Sequence, residues 1–379
     1  MTEKLYYTDA YLDRFSARVV SVIADGGKYA VELDRTAFFP EEGGQSADGG
    51  KIDGITVLDV KEKDGRIYHL LPEPPSHECV ECEVDFGPRF EKMQCHTAEH
   101  ILCGIIHRIY GYENVGFHLG DDLVTFDVDG ELTAEQIAEV EYLANKAVFD
   151  NLEVSCVFPT PEELSTLTYR AKLDITEGVR IVSIGDVDSC ACCAPHVAHT
   201  GEIGMIKLLD FMRHRGGMRI NMVAGYRALA DYKARYSTSK QIGALTSTPS
   251  LDIYPSVERM HSELDLLRRE LEAAGVRLAL SVADSLAPTD GNAVVFVDGV
   301  GMDALRELAN AAVSKVGGIL VVLTGTDGGY KYVAASASVN LRDLAREINA
   351  ALSGRGGGRP EMIQGSLGAP LEKIREYFN

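Results

Sequence analysis

The chain has 379 residues, which is more than one hydrophobic core normally organises, so we expect two or three domains. Its formal net charge of −20 argues against a broad surface that coats nucleic acid but permits a narrow basic groove, and its 45% apolar and 25% charged residues are typical of a globular protein. We expect a cytoplasmic protein without membrane contact, because the first residues, MTEKLYYTDAYLDRF, contain no apolar secretory signal and no apolar run reaches the length of a membrane span.

The first 87 residues predict a small antiparallel β-barrel domain. Short β-type runs, such as ARVVSVIADGGKYAVELD and GITVLDVKEKDGRIYHLL, are punctuated by Asp-Gly turn signals. In the last run, ECVECEVDF, a separation of three places Cys79 and Cys82 on opposite faces of a strand. This Cys-x-x-Cys pair therefore does not predict a metal site, and we expect only Cys82 to lie in the core.

Residues 88–225 predict an α+β domain. The pattern becomes helical through RFEKMQCHTAEHILCGIIHRIYG, and a strand-like LVTFDVDG then precedes a second helix, TAEQIAEVEYLANKAVFDN. The following VRIVSIGDVDSCACCAPHVAHTGEIGMIKLLDF is typical of strands around an irregular loop. The fold class of the chain as a whole is therefore predicted to be α+β.

Residues 226–288 predict a helical arm, with helices at 226–247 and 255–280 separated by STPSLDIYPS. The second helix carries a heptad seam, in which apolar residues are alternately three and four apart. The seam consists of Val257, Met260, Leu264, Leu267, Leu271, Ala274 and Leu278. We expect it to pack in an antiparallel helical pair within the chain rather than in a free-standing dimeric coil.

Residues 289–379 predict a separate small α/β domain. A strand, a helix and a strand follow one another in AVVFVDG, MDALRELANAAVSKVG and ILVVLTG. A further strand and helix lead to the Gly-rich segment SGRGGGRPEMIQGSLG.

The segment CHTAEH, residues 95–100, contains a histidine pair. His96 and His100 lie four apart on a predicted helix, so their rings project from one face, as two ligands of a tetrahedral zinc require. HTAEH also fits His-x-x-Glu-His, the pattern of one class of zinc peptidases, in which the glutamate is the base. Here we expect Glu99 to point away from the metal and to be either a structural group or one that supports the metal ligands.

The segment CACCAPH, residues 190–196, supplies further donors. Cys192 and His196 are four apart, and Pro195 favours a turn rather than a helix interior. With the histidine pair they form a set of three imidazoles and one thiolate, which favours zinc. Cys190 or Cys193 in place of Cys192 remains open. Peptidases of this class complete their coordination with a carboxylate and keep a position open for water, so this set disfavours a peptidase.

The loop DRTAFFPEEGGQSADGG, residues 34–50, has the composition of a recognition loop. Phe38 begins a hydrophobic anchor that ends in a proline bend, and Gly43 and Gly44 let the backbone pass close to a partner. Gln45 supplies an amide that both donates and accepts hydrogen bonds. An ordinary hairpin turn explains this stretch equally well.

Four segments, in chain order, resemble the editing domain of alanyl-tRNA synthetase and, more closely, its free-standing relatives, the AlaX-type alanyl-tRNA editing proteins. They are RTAFFPEEGGQSADGG, MQCHTAEH, NVGFHLGDDLVTFDV and CCAPHVAHTGEIG. The C-terminal SGRGGGRPEMIQGSLG is similar to the Gly-rich signature of the DHHA1 domain, which implies the long form. The resemblance covers nearly the whole chain, and no aminoacylation motifs accompany it, so editing is expected to act in trans.

The resemblance implies which residues form the site. The implied zinc ligands are His96, His100, Cys192 and His196. The implied substrate loop consists of Thr36, Phe38, Phe39, Pro40, Gly43, Gly44 and Gln45. Within it, we expect Thr36 and Gln45 to act catalytically, by hydrogen bonds to the seryl hydroxyl, the carbonyl or the attacking water. Phe39 replaces a usual Tyr, and Asn114 and Phe117 stand where synthetases tend to have Gln and Ser, although Asn114 is still expected to bind substrate.

The implied reaction is hydrolysis of the ester that joins Ser or Gly to the 3′ end of alanine tRNA. We expect zinc to anchor the substrate end rather than to ionise water. The preference between Ser and Gly stays open, and a homodimer through the C-terminal domain is compatible with the resemblance. The alternative hypothesis is a catalytically silent tRNA-binding protein in which zinc is purely structural.

Two basic clusters are candidates for contact with tRNA. The first is FMRHRGGMR, in which Arg213, Arg215 and Arg219 are flanked by glycines that permit close backbone approach. The second is in the C-terminal domain and consists of Lys331, Tyr332, Arg355 and Arg359. A solvated surface explains either cluster as an alternative.

Overall fold

A computed structural model of the chain describes residues 1–120, 123–171 and 178–379. Asp121 and Asp122 of the motif NVGFHLGDDLVTFDV lie outside the described residues. The chain divides into two compact units, Met1–Thr238 and Ser239–Asn379. The finer boundaries at residues 87/88, 225/226 and 288/289 stay predictions. Among the described helices, none is long and apolar enough to cross a lipid bilayer.

The first part of the first unit is the predicted antiparallel β-barrel, which is nearly closed. Its strands and a short accessory pair are Glu3–Lys4 (β1), Arg14–Asp25 (β2), Lys28–Leu33 (β3), Arg35–Thr36 (β4), Gly50–Ile52 (β5), Ile55–Val57 (β6), Asp59–Lys63 (β7), Arg66–Leu71 (β8) and Cys79–Val84 (β9). Seven of them form one sheet in the order β6-β5-β9-β2-β3-β8-β7. Burial alternates along β9, so Cys82 is buried and Cys79 exposed, as predicted.

The second part of the first unit packs helices against two small sheets. Its elements are Phe86–Tyr110 (α1), Asn114–Leu119 (β10), Val124–Val128 (β11), Ala134–Phe149 (α2), Val154–Val157 (β12), Pro161–Leu164 (α3), Ile181–Ile184 (β13), Asp188–Ala191 (β14), Ile206–His214 (β15) and Gly217–Ala224 (β16). One sheet has the order β10-β11-β16-β15, and the other has the order β12-β13-β14.

Helix α1 is the central element of this part. It ends at Gly111, which has a left-handed φ of 72° and closes the helix with a hydrogen bond to the carbonyl of His107. Residues 92–106 are buried without interruption, so all sides of this stretch contact protein. A helix that is buried all round holds its side chains rigidly, which suits a site that must keep a fixed geometry.

The second unit contains the end of α4 and a five-stranded sheet with helices. The elements from α4 onward are Gly225–Thr246 (α4), Ile253–Ser285 (α5), Ala293–Phe296 (β17), Met302–Ala312 (α6), Leu320–Thr324 (β18), Tyr330–Ala335 (β19), Leu341–Ala351 (α7), Arg355–Gly358 (β20), Met362–Leu367 (β21) and Leu371–Phe378 (α8). The sheet order is β17-β18-β19-β21-β20, with β17 and β18 parallel and the other pairs antiparallel. Together the units give the predicted α+β class.

The heptad seam of α5 is exposed, so the predicted antiparallel pairing within the chain is wrong. Leu264 is 46% exposed and Leu271 69% exposed, and the other seam residues are exposed as well. The buried residues of α5 are Ser256, Ala279 and Ala283, none of which belongs to the seam, and the two alanines lie in a core shared with α6. The seam therefore has no helical partner within the described part of the chain.

Candidate metal centre

Two distant parts of the first unit bring four donor side chains together. His96 and His100 come from α1, and Cys192 and His196 come from the loop after β14. Their donor atoms all lie within 4.8 Å of one another. The loop reaches the helix because Ala194, next to the thiol, is buried in the barrel core. The structure thus assembles the four residues that the resemblance implied, with Cys192 rather than Cys190 or Cys193 in this group.

Each imidazole is oriented by a partner on its Nδ1 atom. Nδ1 of His96 lies 2.9 Å from Oε1 of Gln45, and Nδ1 of His100 lies 3.1 Å from the Asp188 carboxylate. Nδ1 of His196 lies 3.0 Å from the Thr97 hydroxyl, which donates its own proton to the carbonyl of Met93.

All three Nδ1 partners are therefore acceptors, and each Nδ1 carries the ring proton. When each ring is neutral, its Nε2 atom has the free lone pair that a metal requires.

The sulfur-to-nitrogen distances fit a tetrahedral zinc ion. Sγ of Cys192 lies 3.4 Å from Nε2 of His196 and 3.6 Å from Nε2 of His96. Zinc bond lengths of about 2.3 Å to sulfur and about 2.0 Å to nitrogen place such ligand atoms about 3.5 Å apart. The residues present therefore fit zinc.

The electrostatics of the cluster also favour metal binding. Burial opposes ionisation of Cys192, yet the neighbouring rings of His96 and His100 hold the pKa of this thiol well below its usual value, which favours the thiolate. Burial lowers the pKa of His196 to about 3, so that ring is neutral. Burial likewise disfavours a charge on His100, but hydrogen bonds to Asp188 and Cys192 raise its pKa well above the usual value. A metal ion at this site therefore displaces a proton from His100.

The Gly-Gly turn holds Gln45 against His96. Gly44 has a φ of 84°, and a Cβ atom there would lie 2.5 Å from the carbonyl oxygen of Phe117, so only glycine fits. Its carbonyl accepts a hydrogen bond of 2.9 Å from the backbone of Leu119. Gln45 is 1% exposed, and its Nε2 has no acceptor among the described residues.

Two basic side chains of α1 fasten the loop that contains Gln45. Nε of Arg89 donates to Oδ2 of Asp48 at 2.8 Å, and both side chains are 1% exposed. Nζ of Lys92 donates to the carbonyl of Ala47 at 2.6 Å. Helix α1, which contains the histidine pair, and the loop of residues 34–50 are therefore held together by direct hydrogen bonds.

A cavity of about 530 Å³ opens next to the four donors. This volume lies in the range of small-molecule sites. Glu99 lines the cavity, where its carboxylate accepts hydrogen bonds from the Asn114 amide and the Cys103 thiol. Glu99 therefore faces the cavity, and its predicted direction away from the metal itself stays a prediction. Asn114 and Gly43 also line it.

Thr36 and Phe38 of the predicted substrate loop lie in the core of the barrel. The Thr36 hydroxyl is 2.8 Å from Nε2 of His69, and Phe38 packs on Phe15 and His69 in the barrel core. Both are fully buried, and the described cavity lining does not include them. The catalytic role of Thr36 and the substrate contact of Phe38 stay predictions.

The basic residues of FMRHRGGMR lie on the hairpin of β15 and β16 and do not line the cavity. Arg219 forms two hydrogen bonds of 2.8 Å with Asp127, and Arg213 pairs with Glu131 at 2.8 Å. Arg215 is in the turn, with a φ of 48°. Contact of these residues with RNA stays a prediction.

In the C-terminal cluster, Lys331, Arg355 and Arg359 are exposed. Tyr332 is fully buried in the core of its unit, so its predicted availability to RNA is wrong. Its strand, β19, lies between β18 and β21 and is buried at four consecutive residues from 332 to 335, so both of its faces contact protein there.

Sequence reasoning missed Asp188, which supports His100. Oδ1 and Oδ2 of Asp188 accept hydrogen bonds of 2.8 and 2.9 Å from Arg170, so this carboxylate is neutralised on one side and orients the ring on the other. Its neighbour Asp186, two residues away, is exposed, and nothing in the sequence distinguishes the two carboxylates.

Comparisons with known proteins agree with this architecture. Residues 179–222 match the threonyl and alanyl tRNA synthetase second additional domain, and residues 290–378 match the DHHA1 domain. The site and fold thus define a protein of the class that combines these two domains.

The chain is 31% identical to alanyl-tRNA editing protein AlaX-L of Pyrococcus horikoshii, over 99% of this chain and 96% of that protein. It belongs to the family of the AlaX-L alanyl-tRNA editing proteins. It is also 32% identical to alanine–tRNA ligase of Halobacterium salinarum and 31% identical to that of Thermococcus kodakarensis, over 43% and 42% of their lengths.

Proposed function

We propose that this protein is a trans-editing hydrolase that deacylates Ser-tRNA(Ala) or Gly-tRNA(Ala) in the cytoplasm with a bound zinc ion. The observation that supports this most directly is the convergence of His96, His100, Cys192 and His196 beside the cavity. Family membership and the tRNA synthetase relatives support an editing function on tRNA.

In the proposed reaction, water adds to the acyl carbon of the aminoacyl ester. The bond between that carbon and the ribose oxygen breaks, the ribose oxygen takes a proton, and the products are the free amino acid and uncharged tRNA. Zinc, when bound by the four donors, supplies a positive charge that anchors the substrate end. The neighbouring ribose hydroxyl activates the ester, so no strong protein nucleophile is required.

The residues of the chain place the substrate. The Glu99 carboxylate, fixed by Asn114 and Cys103, offers a counter-charge to the α-ammonium group of the amino acid. Gln45 orients His96 through Oε1 and retains an Nε2 donor for the carbonyl or the water. A buried donor of this kind discriminates against a substrate that leaves it unpaired.

Deacylation assays test the proposal. Purified protein should release serine or glycine from tRNA(Ala) faster than alanine, and it should not cleave casein. Cys192→Ala should abolish both zinc binding and deacylation, whereas Cys79→Ala, at an exposed cysteine, should change neither. If the wild-type protein binds tRNA and zinc but hydrolyses no ester, the catalytically silent alternative holds. Deacylation that persists in Cys192→Ala without zinc would reject the role of the metal.

A further inference from the structure

Arg180 is a buried cation at the cavity, and no described residue supplies it with a counter-charge. It is 6% exposed and lines the cavity, and no carboxylate of the described residues lies within ion-pair distance of it. The other cations of the lining do have such partners, because Lys4 pairs with Glu62 at 2.8 Å and Arg170 pairs with Asp188.

Only part of the Arg180 guanidinium is satisfied by the protein. Nη1 donates to the carbonyls of Cys192 and Ala194 at 3.0 and 2.8 Å, but Nε is buried and has no acceptor among the residues that the structure describes. Burial of an unpaired charge and an unpaired donor costs free energy, which an anionic ligand of the cavity offsets. Arginine is also the residue best suited to bind a phosphate.

An aromatic surface adjoins Arg180 in the same cavity. The Tyr7 ring lies 5.3 Å from the guanidinium carbon of Arg180 and 5.4 Å from Nζ of Lys4. Phe158 packs edge-on against Tyr7, with ring centroids 5.2 Å apart, and is 52% exposed. Accessible aromatic rings beside cations, here the half-buried Tyr7 and the exposed Phe158, are the usual binding surface for an unpaired RNA base and its backbone.

We propose that Arg180, Tyr7 and Phe158 form the subsite for the 3′-terminal nucleotide of the RNA, with the base on the aromatic rings and its 5′-phosphate on the free edge of Arg180. The backbone contacts of Arg180 to Cys192 join this subsite to the metal centre, so that the ester of the same nucleotide reaches the four donors. This inference rests on the proposed function and assigns the substrate contacts that FMRHRGGMR does not provide at the cavity.

Kinetics on two substrates, one with and one without the phosphate, distinguish a phosphate contact of Arg180 from its other roles. Ser-tRNA(Ala) contains the phosphate, and 3′-O-seryl-adenosine contains the base and the ester without it. For Arg180→Met we expect KM for Ser-tRNA(Ala) to rise roughly 10- to 100-fold, while kcat for this substrate changes by less than about threefold. For seryl-adenosine we expect both kcat and KM to change by less than about threefold. The dependence of log KM on log salt should become less steep by about 0.7, as for one lost contact to single-stranded RNA. The matched control is Arg14→Met, at an exposed arginine of the barrel, which should change none of these.

A second variant tests the aromatic part of the subsite. Tyr7→Ala should raise KM for both substrates about tenfold, because both contain the base, whereas Tyr7→Phe should not. Zinc content is measured for every variant, since Arg180 also bonds the loop that contains Cys192. Equal losses on both substrates, loss of zinc in Arg180→Met, or no change in KM would each overturn the assignment.

Failure of the proposed function gives a different result. In that case the wild-type protein leaves Ser-tRNA(Ala) intact, and the subsite is tested by the affinity of a fluorescent RNA hairpin that ends in CCA. Arg180→Met should weaken its binding roughly tenfold or more, and removal of the terminal nucleotide should abolish the difference between the variants. A hairpin that binds both proteins equally would refute the subsite independently of catalysis.

Discussion

The Asp188 carboxylate lies 3.1 Å from Nδ1 of His100 and simultaneously forms a bidentate pair with Arg170. This contact joins residues that are 88 positions apart in the sequence. It sets the tautomer of a metal-binding ring from outside the coordination sphere.

Replacement of Asp188 should therefore weaken metal binding without removal of a ligand. For Asp188→Asn we expect zinc affinity to fall roughly 10- to 100-fold, because the amide is a weaker acceptor for the ring proton. The measurement is competition with a chelator of known affinity. Asp186→Asn is the matched control, because its carboxylate is 92% exposed, and it should leave the affinity unchanged. Equal affinities of the two variants would show that Asp188 does not support His100.

Gly44→Ala should disturb the metal centre through Gln45. The left-handed backbone and the close Phe117 carbonyl together should lower the free energy of unfolding by about 2 kcal/mol or more, and the displaced Gln45 should weaken zinc binding. Gly54→Ala is the control for backbone strain alone, because Gly54 has a φ of 77° and no atom near the added methyl group. It should cost about 1 kcal/mol and leave zinc affinity intact. Zinc affinity that is equal in both variants would contradict this prediction.

Arg89→Met should be severely destabilising. The substitution leaves the Asp48 carboxylate buried without its partner, and such a loss costs about 3–5 kcal/mol. Arg14→Met removes an arginine that is 74% exposed, together with its surface ion pair, and should cost less than about 1 kcal/mol. Urea unfolding monitored by circular dichroism measures both. A loss of stability in Arg89→Met no larger than in the control would show that the loop does not depend on this pair.

His69 should make stability depend on pH. Burial lowers the pKa of His69 from 6.5 to about 4, so the ring is neutral in the folded protein at pH values where the unfolded chain binds a proton. Stability is therefore complete above about pH 6.5 and decreases as the pH falls toward 4, by about 3 kcal/mol from this group.

The His69→Phe variant isolates this contribution. It lacks the titrating ring, so its unfolding free energy should fall less steeply between pH 6.5 and 4 than that of the wild type. The unpaired Thr36 hydroxyl in this variant adds a cost that does not depend on pH. Parallel pH profiles of the two proteins would contradict the prediction.

The exposed seam of α5 should mediate self-association through the C-terminal unit. Exposed leucines at heptad spacing are stable in water when a second helix covers them. Analytical ultracentrifugation should show a dimer at micromolar concentration that Leu264→Glu with Leu271→Glu converts to a monomer. Leu266→Glu, at an exposed leucine outside the seam, is the matched control and should leave the dimer intact. A wild-type monomer over the same concentration range would refute this role of the seam.

Periodic features were predictable from the sequence. The alternation in β9 identified which of Cys79 and Cys82 is buried, and the spacing of His96 and His100 placed both rings on one side of a helix. These are properties of neighbouring residues, because backbone geometry alone determines which side chains share a face.

Contacts across the fold were not predictable in this way. Tyr332 is predicted to be available to RNA but is buried, and the seam of α5 is predicted to pack on another helix of the chain but is exposed. Each error concerns what lies opposite a side chain, which local periodicity does not specify. Asp188 and Asp186 likewise look equivalent until β14 is packed against α1.

The amino-acid sequence by itself determined which residue types are available and how they are grouped along the chain: a histidine pair on a helix, a thiol-rich loop and a diglycine turn. Only the tertiary structure decided that these groups meet beside one cavity, and that Asp188, Arg180 and Arg89 support them. The physical reason is that packing between distant segments selects hydrogen-bond and charge partners, such as Arg89 with Asp48 and Asp188 with His100, which are 41 and 88 positions apart, and such selection depends on the whole folded core.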